Sequence, residues 1–208
     1  MITRRFFAYG AWASALLMAG CGGNILYPHY YALEIPPAPR AVKSGPRLPA
    51  TVAVRRFETP SYLRQGRIVY RQAPVEIGFY EYHRWATDPA AMVTSAVIDS
   101  LRSSQLFSYV KPYDGQGQQD YLMRGRLEQL EEIDSAGSVR VAVKLSADMV
   151  DLRSGAMVWA GEGDETLEVE TRNVNSVVVE MSHALQRSID RLVASLNQRL
   201  PANSQVMR

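Results

Sequence analysis

The chain has 208 residues, with 23 basic side chains, 21 acidic ones and one cysteine. A hydrophobic content of 47% is enough for one sizeable core, and a single cysteine excludes an intrachain disulfide. So even a charge balance argues against nucleic acid, whose binding rests on neutralising many phosphates.

Residues 1–20 read as a signal sequence. Met1 to Arg5 carries two positive charges, Phe6 to Ala19 is an almost unbroken apolar run, and Leu17-Met18-Ala19-Gly20 leads into Cys21. This is the charged, apolar and small-residue order of an export signal, and the apolar run is too short to span a bilayer, which takes about 20 residues. The arrangement resembles the lipobox of bacterial lipoproteins, with Met18 where leucine is usual. That resemblance implies cleavage before Cys21 and a covalent lipid on its sulfur, with no other cofactor. Thr3-Arg4-Arg5-Phe6-Phe7 leaves the export route open between the general and twin-arginine pathways. Gly22 and Gly23 stand where an aspartate would retain such a protein on the inner membrane, so the implied address is the outer membrane, facing the periplasm. Arg4 and Arg5 are the only charged side chains of residues 1–20, so residues 21–208 hold 21 of each sign.

In chain order, residues 21–29 read as a lipidated tether and Tyr30 to Ile35 as a short strand. Pro36, Pro37, Pro39, Pro46 and Pro49 then mark an extended, exposed connection. Thr51 to Phe57 is a strand rich in β-branched residues, and Arg67 to Tyr70 and Pro74 to Tyr80 are weaker strands beyond a loop at Pro60 and Gly66. Asp88-Pro89 starts a helix with Ala90, Val93, Val97, Ile98 and Leu101 on one face, ending near Ser103 or Ser104. A short strand follows at Phe107 to Val110, and then the turn Asp114 to Gly117.

Three long alternating strands come next. Tyr121, Met123, Gly125 and Leu127 mark the first, Val139, Val141, Val143, Leu145, Ala147 and Met149 the second, and Met157, Trp159, Gly161, Gly163, Leu167 and Val169 the third. Turns at Asp134 to Ser138 and Asp151 to Gly155 make them an antiparallel meander. The last element is a long amphipathic helix with Val174, Val178, Met181, Leu185, Ile189, Leu192, Leu196 and Leu200 on its stripe, capped by Asn173 and ended by Pro201. The expected architecture is α+β: an antiparallel or mixed sheet with a long three-stranded meander, and two main helices on one face. Residues 30–200 form one domain and 201–208 a tail.

No catalytic or metal-binding set is legible. His29, His83 and His183 share no ligand spacing, and no phosphate loop or nucleophile elbow is present. Two uneven features stand out. Residues 40–84 carry nine basic and three acidic side chains, and residues 120–170 five basic and twelve acidic. The plain account is two solvated faces; the sharper one is head-to-tail pairing between copies, basic part to acidic part, which closes into a homo-oligomeric ring if the rotation allows. The segment Tyr62 to Trp85 is dense in aromatics and arginine, the types enriched at interface cores, and the equal alternative is that half of its rings fill the end of the core while the arginines are solvated. Its candidate partner-binding residues are Tyr62, Leu63, Arg67, Tyr70, Arg71, Tyr82, Arg84 and Trp85.

Tyr30-Tyr31-Ala32-Leu33 after the cysteine, Tyr62-Leu63 followed by Arg67-Ile68-Val69-Tyr70-Arg71, and Tyr82-His83-Arg84-Trp85 before the first helix resemble the ABC-type transport auxiliary lipoproteins, the Pqi-type lipoproteins of two-membraned bacteria. Arg64 departs from the acidic residue expected after Tyr62-Leu63, and the residues after Trp85 also differ. The resemblance implies a non-enzymatic, outer-membrane docking component that accompanies a mammalian-cell-entry (MCE) domain protein, and often a permease and ATPase, in lipid transport between membranes. A structural lipoprotein of envelope assembly that handles no lipid is the alternative. A lipid-anchored hydrolase is the third reading.

Overall fold

A computed structural model describes residues 26–36, 48–135 and 137–203. The expected signal sequence, the expected lipid site Cys21 and most of the proline-rich connection lie outside the described residues. The elements are β1 (His29–Tyr31), β2 (Leu48–Val54), a 3-10 turn (Ser61–Gln65), β3 (Arg67–Ala73), β4 (Glu76–Trp85), α1 (Pro89–Ser104), β5 (Phe107–Pro112), β6 (Tyr121–Ser135), β7 (Ser138–Asp151), β8 (Met157–Glu168) and α2 (Val174–Asn203). They form one eight-stranded mixed sheet with the helices packed on one face.

Both helices start as their caps dictate. Asp88 accepts a hydrogen bond from the Ala91 amide at 3.2 Å with Pro89 in the first turn, and Asn173 accepts one from Ser176 at 2.9 Å. Val93, Val97 and Leu101 of α1 are buried, as are Val178, Met181, Leu185, Ile189, Leu192, Leu196 and Leu200 of α2. Thirty residues make α2 about 45 Å long. Pro201 does not end α2, which continues to Asn203. A proline there removes one hydrogen-bond rung but keeps a helical φ, so the path runs on for two residues.

The meander forms as expected, with β7 antiparallel to both β6 and β8. Val139, Val141, Val143, Leu145, Ala147 and Met149 all face the core. Met157 does not, being 60% exposed. Met149 pairs with Trp159 while Val150 pairs with Met157, so Val158 is an extra residue that reverses the alternation at the start of β8.

β6 is twice as long as its alternation suggests. Leu127 pairs with Leu145 and Gln129 with Lys144, which leaves Glu128 in a bulge. Beyond it Leu130 and Glu132 share the face of Leu127, and the pattern read along the sequence breaks. The same edge of β6 serves two partners. Val52, Ala53 and Val54 of β2 run parallel to Tyr121, Leu122 and Met123, whereas Tyr70 and Arg71 of β3 pair with Glu132 and Ile133. The sheet therefore forks, carrying β2 and β5 on one branch and β3, β4 and β1 on the other. Phe57, 2% exposed, fills the fork above Gly125, where a Cβ would meet its ring at 2.3 Å.

Several boundaries differ from expectation. The first strand covers His29–Tyr31 only. The Ala86 amide bonds to the Tyr31 carbonyl, and three residues later the Glu34 amide donates to Ser182 Oγ of α2, so the chain has left the sheet for the helix layer. β2 begins at Leu48 rather than Thr51, and its Pro49 lies within a register shift that spares the missing N–H. It also ends at Val54, three residues before Phe57. The loop at Pro60 holds the 3-10 turn, β3 and β4 reach Ala73 and Trp85, and β5 extends to Pro112.

α2 lies against β8 with no side chain between them at Gly163, where a Cβ would come within 2.2 Å of the Ser188 carbonyl oxygen. Backbone cannot step aside as a flexible side chain can. Gly163→Ala is expected to lower stability by about 2 kcal/mol or more, a Tm fall of several degrees, whereas Val179→Ala on the exposed face of α2 stays within roughly 0.5 kcal/mol. Thermal melts of the two variants check this.

Candidate functional site

β3 and β4 display most of the aromatic and arginine segment, and the bulged edge of β6 sorts it between the two faces of the sheet. On the helix side, Tyr80 Oη donates to Glu132 Oε2 at 2.8 Å, and the Tyr80 ring sits edge-on to Tyr70 and to His83 at 5.2 and 5.4 Å. His83 bonds through Nδ1 to Tyr31 Oη at 2.8 Å and stacks on His29 at 5.4 Å. The cluster ties β1, β3, β4 and β6 together. Burial raises the pKa of Tyr80, with the Glu132 bond adding to it, and raises Tyr31. Burial lowers His83 and the nearby His29 lowers it further. Glu132, 5% exposed, is pushed above the usual carboxylate range by burial, against the opposing pull of the Tyr80 bond.

Glu131 points the other way and is fully buried. Arg71 meets it bidentately, Nε to Oε1 at 2.9 Å and Nη2 to Oε2 at 3.2 Å, and Gln129 Nε2 adds a bond of 2.5 Å. That pairing raises the Arg71 pKa. Tyr62 lies over the same region, donating to the Glu128 carbonyl at 3.1 Å, while burial and the Glu131 charge raise its own pKa. The bulged residue's carbonyl thus finds its partner in the 3-10 turn.

The eight candidate residues separate accordingly. Leu63 and Trp85 are buried at 1% and 5% exposure. Tyr62, Tyr70 and Arg71 make the internal contacts above. Arg67, Tyr82 and Arg84 reach solvent. Glu131 and Glu132 escaped the sequence reading because a bulge immediately before them hides which face each takes, and adjacent glutamates in a strand read as solvated.

Three shallow grooves mark the surface. One of about 600 Å³ is lined by Arg55, Arg56, Glu58, Arg124, Arg126 and Asp148, with Arg124 clamping Asp148 at 2.6 Å and Arg56 on Asp88 at 2.8 Å. A second of about 580 Å³ lies between Leu33, Ile35, Pro36 and the Met92 and Ala96 side of α1. The third, about 960 Å³, opens between the start of β2 and the turns at Gln118 and Leu152. Among the described residues no serine hydroxyl bonds a histidine, no group of three His, Cys, Asp or Glu is placed to hold a metal, and no helix is long and apolar enough to cross a membrane.

The family model for the ABC-type transport auxiliary lipoprotein component matches residues 31–205, which is nearly the whole folded body. The chain belongs to this family. A crystal structure of protein XCC0632 from Xanthomonas campestris is 17% identical, covers 85% of this chain and 99% of its own, and superposes with a TM-score of 0.74. The hypothetical protein CT253 from Chlamydia trachomatis is 10% identical, with coverage of 74% and 99% and a TM-score of 0.51. At these identities the likeness establishes the fold alone. No protein of curated function matches the sequence.

Two substitutions separate the buried carboxylates. Arg71→Met strands the Glu131 charge and is expected to cost about 3 kcal/mol, most of it recovered in the Arg71→Met, Glu131→Leu pair; urea unfolding of the single and double variants measures the difference. Because the Glu132 pKa is raised on folding, its ionisation costs stability as pH climbs above the unfolded value of about 4.3. Glu132→Gln keeps an acceptor for Tyr80 and cannot ionise. Its Tm should exceed the parent's at pH 7 and fall back to the parent's near pH 4.

Proposed function

We propose that this auxiliary lipoprotein is the outer-membrane, periplasm-facing docking component of an MCE-type system that moves lipids between the two membranes. The observation that carries the reading is the family match, which runs from β1 to α2 and so takes in the whole body. The architecture supports it in a second way. Grooves without a nucleophile beside a base suit a part that holds and positions rather than one that reacts. Acylation of Cys21 supplies the membrane attachment. Each buried methylene contributes about 0.8 kcal/mol, so two or three acyl chains hold the body on the bilayer for the life of the protein. The motor and the substrate path then belong to the permease, the ATPase and the MCE-domain protein.

Expression of the full chain in a two-membraned bacterium, with labelled palmitate and density-gradient separation of membranes, tests the anchor. Label should enter the parent and not Cys21→Ser, and the parent should band with the outer membrane. Affinity purification from the same cells should recover an MCE-domain protein with the parent. Recovery of outer-membrane assembly proteins alone would replace the transport reading with the envelope-assembly one.

A further inference from the structure

The edge of the sheet nearest the lipid site carries a pattern that internal packing does not account for. Tyr30 pairs with Arg84 on β4, and Arg84 pairs with Arg67 on β3. Cα partners across neighbouring strands point to the same face, so Tyr30, Arg84 and Arg67 form one row on the face opposite to Tyr31 and Trp85, whose side chains turn to the core. Two arginines directly opposite each other repel. Among the described residues neither meets a carboxylate, and Arg84 Nε is buried without any acceptor. An anion with several oxygens supplied from outside the chain would relieve the repulsion between the two guanidinium groups.

The neighbouring surface is apolar. Leu26, Tyr27 and Tyr30 are 60%, 75% and 64% exposed. Five residue steps separate Leu26 from Cys21, and at no more than about 3.6 Å each they span at most about 18 Å, however they run. Once Cys21 is acylated its backbone is held at the headgroups, so Leu26 and Tyr27 cannot lie farther from them than that. Tyrosine concentrates at the boundary between hydrocarbon and water, and guanidinium groups take phosphate oxygens bidentately.

We propose that the face formed by Leu26, Tyr27, Tyr30, Arg84 and Arg67 rests on the bilayer, with the tyrosines in the headgroup layer and the arginines on lipid phosphates. This inference rests on the acylation of Cys21. The body is then oriented rather than freely tethered: β1 and β4 lie against the membrane, and the outer face of α2, packed on the opposite face of the sheet, turns away from it. The half-buried Arg67 and Arg84 of the aromatic segment meet lipid in this arrangement, leaving other surfaces for protein partners.

The test uses the acylated protein reconstituted into phosphatidylethanolamine and phosphatidylglycerol vesicles. Acylation consumes the Cys21 thiol, so Tyr27→Cys, Tyr30→Cys and, as a reference on the outer face of α2, Val179→Cys each offer one site for a nitroxide label. Power saturation should find labels at 27 and 30 several-fold more accessible to oxygen, relative to a water-soluble nickel chelate, than the label at 179. Adding Arg67→Gln and Arg84→Gln should move the label at 30 toward the value at 179. Equal accessibility at 27, 30 and 179 in protein whose mass shows the acyl chains overturns the orientation and leaves the lipoprotein reading standing. A mass showing a free thiol at Cys21 overturns both.

Discussion

The fold depends on one strand edge used twice. β6 runs for fifteen residues, and no single partner on its β2 and β3 side covers that length. The ladder changes hands near Arg126, where an isolated bridge to Glu58 fills the gap between the β2 and β3 pairings. A continuous edge without the bulge would point Glu132 away from Tyr80 and Glu131 into the apolar core, because a slip of one residue exchanges the two faces. Glu128 absorbs the extra residue. Its carbonyl is taken by Tyr62 and its carboxylate by Ser146 Oγ at 2.6 Å, so the irregularity leaves no buried polar group unpaired. Gly125 opposite the fork matters for the same reason: only a missing side chain admits the Phe57 ring that seals the two branches against α1, where the Phe57 amide donates to Thr94 Oγ1 at 2.9 Å.

That constraint explains why the sheet keeps polar groups inside. The bidentate Arg71 pair and the Tyr80 contact each fasten β6 to an arm that would otherwise hold by a short parallel ladder of two residue pairs. Buried ion pairs add little net stability over apolar replacements, but they penalise the wrong register heavily. The titrating groups of the cluster are all engaged with one another, His83 with Tyr31 and Tyr80 with Glu132, and none is presented in a groove. Perturbed ionisation in this cluster follows from packing between the strands it joins.

Legibility in the sequence followed the regularity of the backbone. β7, α1 and α2 repeat their apolar positions without interruption, so their faces and starts were readable from caps and spacing. β8 was readable from Trp159 onward, because the extra residue Val158 affects only Met157. β6 was readable as far as Leu127 and not beyond, since one bulged residue erases a period-two signal. The aromatic segment was located but not resolved into roles. Leu63, Trp85, Tyr82 and Arg84 look alike in composition, and which of them is buried depends on the irregular β3 and β4 pairing, between Arg67 and Val69 and again between Tyr70 and Ala73, that no local pattern announces. The long-range pairing of Arg71 with Glu131, sixty residues apart, had no signal at all.

An anchored accessory protein gains from a rigid body only if the anchor fixes its direction. A flexible tether lets a small domain sample every orientation, and a partner arriving from the other membrane then meets the right surface a fraction of the time, with its apparent affinity reduced by that fraction. Here the strand nearest Cys21 in sequence is also the sheet edge, locked to β4 by three residue pairs and by the His29, His83 and Tyr31 contacts. A displacement of β1 is passed to the whole sheet, since β1, β4, β3 and β6 are joined by ladders. In the proposed arrangement the rigidity of the forked sheet and the short span to Cys21 act together, turning an attachment point into an orientation.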